Sequence, residues 1–352
     1  MRIILVVSSL LPGGAERVTL GLAEYLRDVG HEPHLFVART FDSAQGLYVV
    51  PDGIPVHRIS HGGGNALLRP LLNSVLLRSL VRNVKPDWII SLGAQYKTLA
   101  LAGCFNKTKI LLSERNYPRT FYTKSELEKV SVYYEMADKV VFQTEDERNC
   151  FRNLDRGKTA IIPNAVRQDL PCWTGEESRS VAFVGRLVEQ KNPMLLIEAF
   201  RRFKQTHREW KLDLYGDGPM RDELLRAVHE SDLDDSVVFH GNVTAVTEKV
   251  SVSGMYVSTS NYEGISNSML ESIAMGVPSV CTDCAGGGAR LAIQDGVNGL
   301  LIRCGDAVGL AEAMARIADD KEFARRLGKT AHDSAHRFAP SSVYPLWVEA
   351  LS

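Results

Sequence analysis

Residues 181–203 read VAFVGRLVEQKNPMLLIEAFRRF. An apolar strand candidate, 181–185, runs into a short polar loop and then into a helical stretch at about 192–206. Strand, loop and helix in this order form the unit from which parallel sheets are built. The loop carries Arg186 and Lys191 where the strand would end. The same alternation continues on both sides. Downstream strand candidates lie at 211–215, 237–240, 255–258, 279–281 and 299–302, with helical stretches at about 219–230, 268–275, 307–318 and 321–336 between most of them. Upstream candidates lie at 3–8, 34–37, 88–91, 110–113, 140–143 and 160–162, and Gly13-Gly14 opens a helix with Val18, Leu22 and Leu26 on one face. Between the two series a polar stretch, 167–180, breaks the periodicity and reads as a linker.

Alternation at these lengths predicts an α/β protein with parallel sheets covered on both faces. Two such series and one linker predict two Rossmann-like domains facing across a cleft, 1–166 and 181–335, followed by a terminal helix over 336–352. In such folds ligands bind beyond the carboxyl ends of the strands. The length of 352 residues agrees with about two domains. No apolar run approaches the ~18 residues of a membrane span, and the first strand-like run is too short and too early for a signal peptide. Six scattered cysteines do not form a disulfide framework, so a reducing cytoplasm is expected. Cys281 and Cys284 make one CxxC with no second pair, which favours packing over metal or redox chemistry.

The net charge of −1 is unevenly spread. Residues 1–164 carry 21 basic against 16 acidic side chains, and within 58–113 eight basic residues face one acid, Asp87. The first half therefore expects an anionic partner or is a solvated basic face. Arg78, Arg82 and Lys85 share one helical face, which makes an anionic membrane surface one such partner. Leu68, Leu71, Leu72 and Val75 precede them; these four either pack into the domain, which is the favoured expectation, or graze the membrane. No nucleic-acid motif accompanies the basic residues.

Four strand–helix junctions carry the chemistry. After the first strand stands SSLLPGGAER (8–17) in place of G-x-G-x-x-G, which argues against a dinucleotide dehydrogenase. Gly14 there either admits a ligand to a helix start or makes a plain tight turn. Arg186 and Lys191 suit a diphosphate beside a helix N-terminus, or are solvated loop cations. Gly216 lies in YGDGP (215–219), a strand–helix connection with Pro219 suited to the first helical position. The stretch NYEGISNSMLESIAMGVPSV (261–280) holds two glutamates, Glu263 and Glu271. Ser268 and Glu271 fit the S-x-x-E capping box, a sufficient structural reason for Glu271. Alternatively both carboxylates point into one cleft, with the N–H groups of Ile265, Ser266, Asn267 and Ser268 between them. Carboxylates accept from sugar hydroxyls, and a helix mouth attracts phosphate.

Taken together, GGAER (13–17), IPN (162–164), VGRLVEQKNP (184–193), YGDGP, FHG (239–241), EGISNSMLESIAMGVP (263–278) and DGVNGLLI (295–302) resemble the retaining glycosyltransferases of family 4, which have the GT-B fold. The resemblance covers nearly the whole chain. It implies that Arg186 and Lys191 bind the leaving diphosphate, that Glu271 bonds the nucleotide ribose and that Glu263 contacts the transferred sugar. It implies further that the backbone of Ile265, Ser266 and Asn267 supports sugar and phosphate, that Gly14 lets the first helix approach the diphosphate, and that Gly241 and Asn242 line the base. The terminal helix would cross back to the first domain, with Tyr344, Leu346 and Trp347 as packing residues. The implied reaction moves a hexose or N-acetylhexosamine from a nucleotide diphosphate, UDP favoured, to a glycan or polyprenyl-linked glycan acceptor with retention. No cofactor and no metal are expected, since Arg186 and Lys191 replace divalent charge; Asp232 and Asp234, the one D-x-D, lie far from the motif. The expected location is cytoplasmic and peripheral at the inner face of the cell membrane.

Two departures from the family pattern stand out. LLSERNYP has Arg115 or its neighbour Glu114 at the place where relatives have a donor-contacting histidine, so Arg115 is expected in the substrate site, on the donor or serving the acceptor instead. TDCAGGGARL has Arg290 where many have a glutamate. The rival readings are a sugar-nucleotide epimerase or phosphorylase of the same fold and a non-catalytic nucleotide-sugar-binding protein.

Overall fold

A computed structural model describes residues 1–11, 13–39, 48–58, 69–93 and 95–352. The chain divides into two compact units, Met1–Asn164 with Val343–Ser352, and Ala165–Ser342. Each is a parallel sheet flanked by helices.

In the first unit β1 (Arg2–Val7), β2 (Glu32–Val37), β3 (Val56–Arg58), β4 (Trp88–Leu92), β5 (Lys109–Ser113), β6 (Lys139–Phe142) and β7 (Thr159–Ile161) pair in the order β3-β2-β1-β4-β5-β6-β7. All pairings are parallel, with Ile3 opposite Trp88 and Ile89 opposite Ile110. The central strands β1 and β4 are apolar on both faces because helices cover both. The order reverses direction between β1 and β4. At such a reversal the loops beyond neighbouring strands diverge and leave a crevice. The edge strand β3 was not expected from the sequence. It has three residues, none of them buried, so it carries no apolar signature.

The helix Arg69–Val84 departs from expectation. It turns Asn73, Ser74, Leu77 and Leu80 inward, and the two polar side chains bond backbone carbonyls of Ala38 (3.0 Å) and Pro70 (2.6 Å). Leu71, Leu72 and Val75 are therefore exposed rather than packed into the domain. Leu68 lies outside the described residues. The helix Lys124–Met136, also unexpected, begins with a capping box in which Thr123 and Glu126 satisfy each other's backbone N–H.

In the second unit β8 (Ser180–Val184), β9 (Lys211–Tyr215), β10 (Val237–Gly241), β11 (Met255–Ser258), β12 (Ser279–Thr282) and β13 (Leu300–Ile302) pair in the order β10-β9-β8-β11-β12-β13, again all parallel. The reversal lies between β8 and β11. Residues 181–203 supply most of β8 and the helix Pro193–Phe203. Asn192 caps that helix from a left-handed conformation by accepting from the Leu195 N–H at 3.2 Å, and Pro193 fills the first position, where no N–H is needed. Leu195, Leu196, Ile197, Phe200 and Phe203 are buried against the sheet. At ~1.5–3 kcal/mol for each large apolar side chain, this face contributes on the order of 10 kcal/mol before conformational entropy is subtracted. No helix among the described residues is long and apolar enough to cross a membrane.

Candidate active site

The carboxyl edge of the second sheet gathers most of the residues singled out from the sequence. Beyond β8 the chain makes the loop with Arg186, then a 3-10 turn, Glu189–Lys191. Beyond β11 it runs through residues 259–266 into the helix Asn267–Met275. These are the two strands at the reversal, so their loops flank the crevice. The two loops are tied together. Asn261 N–H donates to the Gln190 carbonyl (2.8 Å), Thr259 Oγ1 to the Lys191 carbonyl (2.9 Å) and Gln190 Nε2 to the Tyr262 carbonyl (3.2 Å). Asn192 Nδ2 donates to Asn261 Oδ1 at 2.9 Å.

Onto this frame the side chains of Lys191 and Glu263 form an ion pair, 15% and 18% exposed respectively. Such a pair is partly desolvated yet open on one side to a ligand. Arg186 is exposed at the end of β8. The loop after β9 lies against the loop after β8: Gly216 has φ +126 and a β-carbon there would overlap the Gly185 carbonyl. Gly216 N–H donates to the Gly241 carbonyl at 2.8 Å, and Gly241 itself has φ +67. Asn242 follows and is exposed. His240 stacks on Tyr215 with ring centroids 4.6 Å apart, and its Nε2 lies 2.7 Å from Asp213 Oδ1.

The helix mouth differs from the capping box expected of Ser268 and Glu271. Ser266 is the cap, accepting from Met269 N–H at 3.5 Å, and the helix begins at Asn267. Ser268 therefore sits inside the first turn. Its hydroxyl lies 2.9 Å from that of Tyr256 and 3.0 Å from that of Ser266, and donates to the Val184 carbonyl at 3.1 Å. This cluster joins the mouth of the helix to β8 and β11. Glu271 follows one turn later and is buried. Ile265 and Ser266 are buried and Asn267 is half-buried.

The sequence reading missed how Glu263 is supported from behind. Glu263 N–H donates to the Ala285 carbonyl at 2.9 Å. Gly286, with φ +104, passes so close that a β-carbon would overlap the Glu263 carbonyl. The run of three glycines, 286–288, was the available signal. Nearby, the Cys284 thiol is pushed up to about 12, first by burial and then by the neighbouring Cys304 and Glu263. Cys281 and Cys284 are both buried, in keeping with packing.

In the first unit Gly14 is exposed at the start of the helix Gly14–Asp28, beyond β1. Arg115 follows β5, and its head group is enclosed. Both terminal guanidinium nitrogens are buried without a hydrogen-bond partner among the described residues. The guanidinium lies 5.7 Å from the Trp347 ring centre, over a side chain with no exposed surface. Burial lowers it to about 10, opposed by the nearby Glu147 and Glu114 carboxylates. Glu114 is buried too. It accepts from the backbone N–H groups of Arg115 (2.9 Å) and Asn116 (3.1 Å) and from Tyr134 (2.9 Å), while burial raises its pKa. The structure thus encloses the Arg115 head group beneath the helix Pro340–Ala350.

A two-unit fold of this kind, with a cationic and carboxylate-lined crevice at a strand reversal, is the architecture of the GT-B glycosyltransferases. The chain belongs to the family 4-like glycosyltransferases: residues 12–170 match the model for Glycosyltransferase Family 4 and residues 178–320 that for Glycosyl transferases group 1. It is 31% identical over 193 residues to an exopolysaccharide phosphotransferase of Streptomyces coelicolor, which covers 54% of this chain but only 20% of that protein. It is 25% identical, over 100% of this chain and 98% of the relative, to an α-1,4-N-acetyl-D-galactosaminyltransferase of Campylobacter jejuni whose name specifies an undecaprenol-diphosphate-linked glycan. The fold is shared, at TM-score 0.84 and 19% identity over 100% and 99% of the two chains, with Anabaena HepE, solved in complex with UDP and glucose.

Proposed function

We propose that this protein is a retaining glycosyltransferase that moves a hexose or N-acetylhexosamine from a nucleotide diphosphate, UDP first, to a glycan or polyprenyl-linked glycan without a divalent ion. The observation that carries the reading is the Lys191–Glu263 pair at the strand reversal, with Arg186 exposed in the same loop after β8. The named acceptor of the Campylobacter relative and the UDP held by the Anabaena neighbour support the two substrate classes.

The demanding step is departure of a diphosphate while positive charge grows on the sugar. Arg186, Lys191 and the dipole at the start of the helix Asn267–Met275 stabilise the developing negative charge. Glu263 holds sugar hydroxyls and keeps Lys191 oriented. Glu271 takes the ribose, and the segment at Gly216, Gly241 and Asn242 takes the base. The bond from the anomeric carbon to the phosphate oxygen breaks, and the bond to the acceptor oxygen forms on the same face. The acceptor proton passes to the departing phosphate. Arg115 is assigned to holding the terminal helix, since its terminal nitrogens are enclosed.

The test is product analysis with UDP-, GDP- and ADP-sugars and a polyprenyl-diphosphate glycan, in the presence of EDTA. A released nucleoside diphosphate together with an α-linked glycoside is expected. An isomerised sugar nucleotide, a β-linkage, a strict need for divalent ions, or no product with any donor would each overturn the corresponding part of the reading.

A further inference from the structure

Strands β12 and β13 pair in register, with Thr282 opposite Ile302, and the ladder runs one step further: Asp283 N–H donates to the Ile302 carbonyl at 2.7 Å. Cys284 and Cys304 each lie two residues beyond that registered pair. They therefore stand side by side, on one face, at the carboxyl ends of neighbouring parallel strands. Neighbouring strands are ~4.8 Å apart, within the ~4.4–6.8 Å between α-carbons that a disulfide spans. The side chains agree with the register. Thr282 Oγ1 donates to the Ser260 carbonyl at 2.7 Å, and Cys304 Sγ lies 3.6 Å from the same carbonyl and 3.9 Å from those of Asn261 and Asp283. Cys304 is exposed and Cys284 is buried beneath it. Cys281 points to the other face, into the apolar cluster with Ala182, Tyr256 and Ile273. The thiols that meet are thus set by strand pairing and not by the CxxC spacing.

We propose that Cys304 is a site of thiol oxidation resolved by Cys284, and that the disulfide between them withdraws the support of Glu263. The co-reactant is a low-molecular-weight disulfide such as oxidised glutathione. The Cys304 thiolate attacks one of its sulfurs and releases one glutathione, which takes up the Cys304 proton. The Cys284 thiol then gives up its proton, attacks the Cys304 sulfur and releases the second glutathione. Two protein thiols are oxidised to one disulfide, and one glutathione disulfide is reduced to two thiols. The consequence follows from the strand order. β12 lies between β11 and β13, so drawing Cys284 toward Cys304 moves it away from the loop after β11. Ala285, the next residue, is the one whose carbonyl receives the Glu263 N–H at 2.9 Å. The Cys304 sulfur also leaves the carbonyls of Ser260 and Asn261 in that same loop. Burial and then the Asp283 carboxylate raise the Cys304 thiol, opposed by Thr282 and Arg290. Burial, Cys304 and Glu263 raise the Cys284 thiol, opposed by Lys191. Thiolate is therefore scarce near neutral pH, closure is slow, and attack by Cys304 speeds up about tenfold per pH unit. A loss of sugar transfer on closure rests on the proposed function; the disulfide and the loosened Glu263 loop do not.

The experiment incubates the full chain with oxidised glutathione, maps its thiols by alkylation, digestion and mass spectrometry, and reads amide hydrogen exchange over residues 259–266 on the same samples. A cross-linked peptide joining Cys284 to Cys304 is expected, with exchange of the Glu263 amide about tenfold faster or more. Dithiothreitol should reverse both. Cys304→Ser should show neither change. Cys284→Ala should stop at glutathione bound to Cys304, because the resolving thiol is gone. Cys172→Ser, at another exposed cysteine, should respond like the unaltered chain. Glutathione on Cys304 with no cross-link in the unaltered chain would overturn the proposal, as would a Cys281–Cys284 bond in its place. A Cys284–Cys304 cross-link that leaves exchange over 259–266 unchanged would overturn the effect on Glu263. Both readouts are taken without a sugar donor, so failure of the transferase reading leaves them standing. With turnover in hand, oxidation should lower it about tenfold or more in the unaltered chain and leave Cys304→Ser unaffected.

Discussion

Replacing Lys191 with alanine strips the Glu263 carboxylate of its partner in a crevice where only 18% of that side chain is exposed. Breaking a fully buried pair costs ~3–5 kcal/mol, and an exposed pair is worth ~0–1 kcal/mol. This pair lies toward the buried end, so Lys191→Ala should cost the second unit about 2 kcal/mol. In a unit of this size that lowers Tm by about 4–8 °C. Turnover should fall ~10²–10³-fold if Lys191 stabilises departing diphosphate. The two effects are separable. Lys191→Met with Glu263→Gln removes both charges and keeps the shapes, so stability should return to within about 1 kcal/mol of the unaltered protein. Turnover should stay down by ~10²-fold or more, because Arg186 alone is left to meet the phosphate. Calorimetry and nucleotide-release kinetics on the two variants give both quantities. A double variant that regains turnover to within about tenfold of the unaltered protein would refute the role and reduce the pair to a structural contact.

Gly286→Ala combines a left-handed φ with an overlap onto the Glu263 carbonyl, so it should cost roughly 2 kcal/mol or more in urea unfolding and weaken donor affinity by displacing Glu263. Trp347→Ala empties a site with no exposed surface beneath the terminal helix and should cost the first unit about 3–5 kcal/mol, read from the same kind of melt. Burial holds Glu147 well above the ordinary carboxyl range. Its folded-state pKa therefore exceeds its unfolded value, so its contribution to stability is fullest below about pH 4.5 and is lost as pH rises through the folded value. Glu147→Gln removes that loss. The unfolding midpoint of the unaltered protein should fall between pH 5 and pH 8 relative to that of the variant, and parallel curves would contradict the assignment.

Much of this protein is local in origin. The central strands are short apolar runs, and the helices show a repeat of three to four residues, so both series of elements can be read along the chain. The polar stretch 167–180 does break that periodicity, but it belongs to the second unit, where Trp173 donates from its backbone N–H to the Met275 carbonyl and from Nε1 to the Ser253 carbonyl, both at 2.8 Å. The candidate site residues are legible too, because they sit at strand–helix junctions: Arg186 and Lys191 after β8, Glu263 before the helix Asn267–Met275 and Glu271 one turn into it. Where the reading failed, the signal was weak or its meaning depended on neighbours. The edge strand β3 has no buried residue to mark it. Thr123 and Glu126 carried a capping signal that went unread, whereas Ser268 and Glu271 carried the same signal but Ser266 took the cap.

Local spacing also cannot say which side of a helix a unit will use. The helix Arg69–Val84 buries Asn73 and Ser74 where carbonyls of Ala38 and Thr98, outside the helix, receive them, and four apolar side chains stand outward. The sequence by itself determined the type and order of the elements and the residue types at the strand ends, since both depend on periodicity and on a few neighbouring positions. Only the tertiary structure decided which of those residues meet. Lys191 faces Glu263 because β8 and β11 lie side by side at the reversal. Arg115 lies under Trp347 because the last residues pack with the first unit. Contacts between residues so far apart along the chain arise from strand pairing and helix packing, which a pattern of neighbours does not encode.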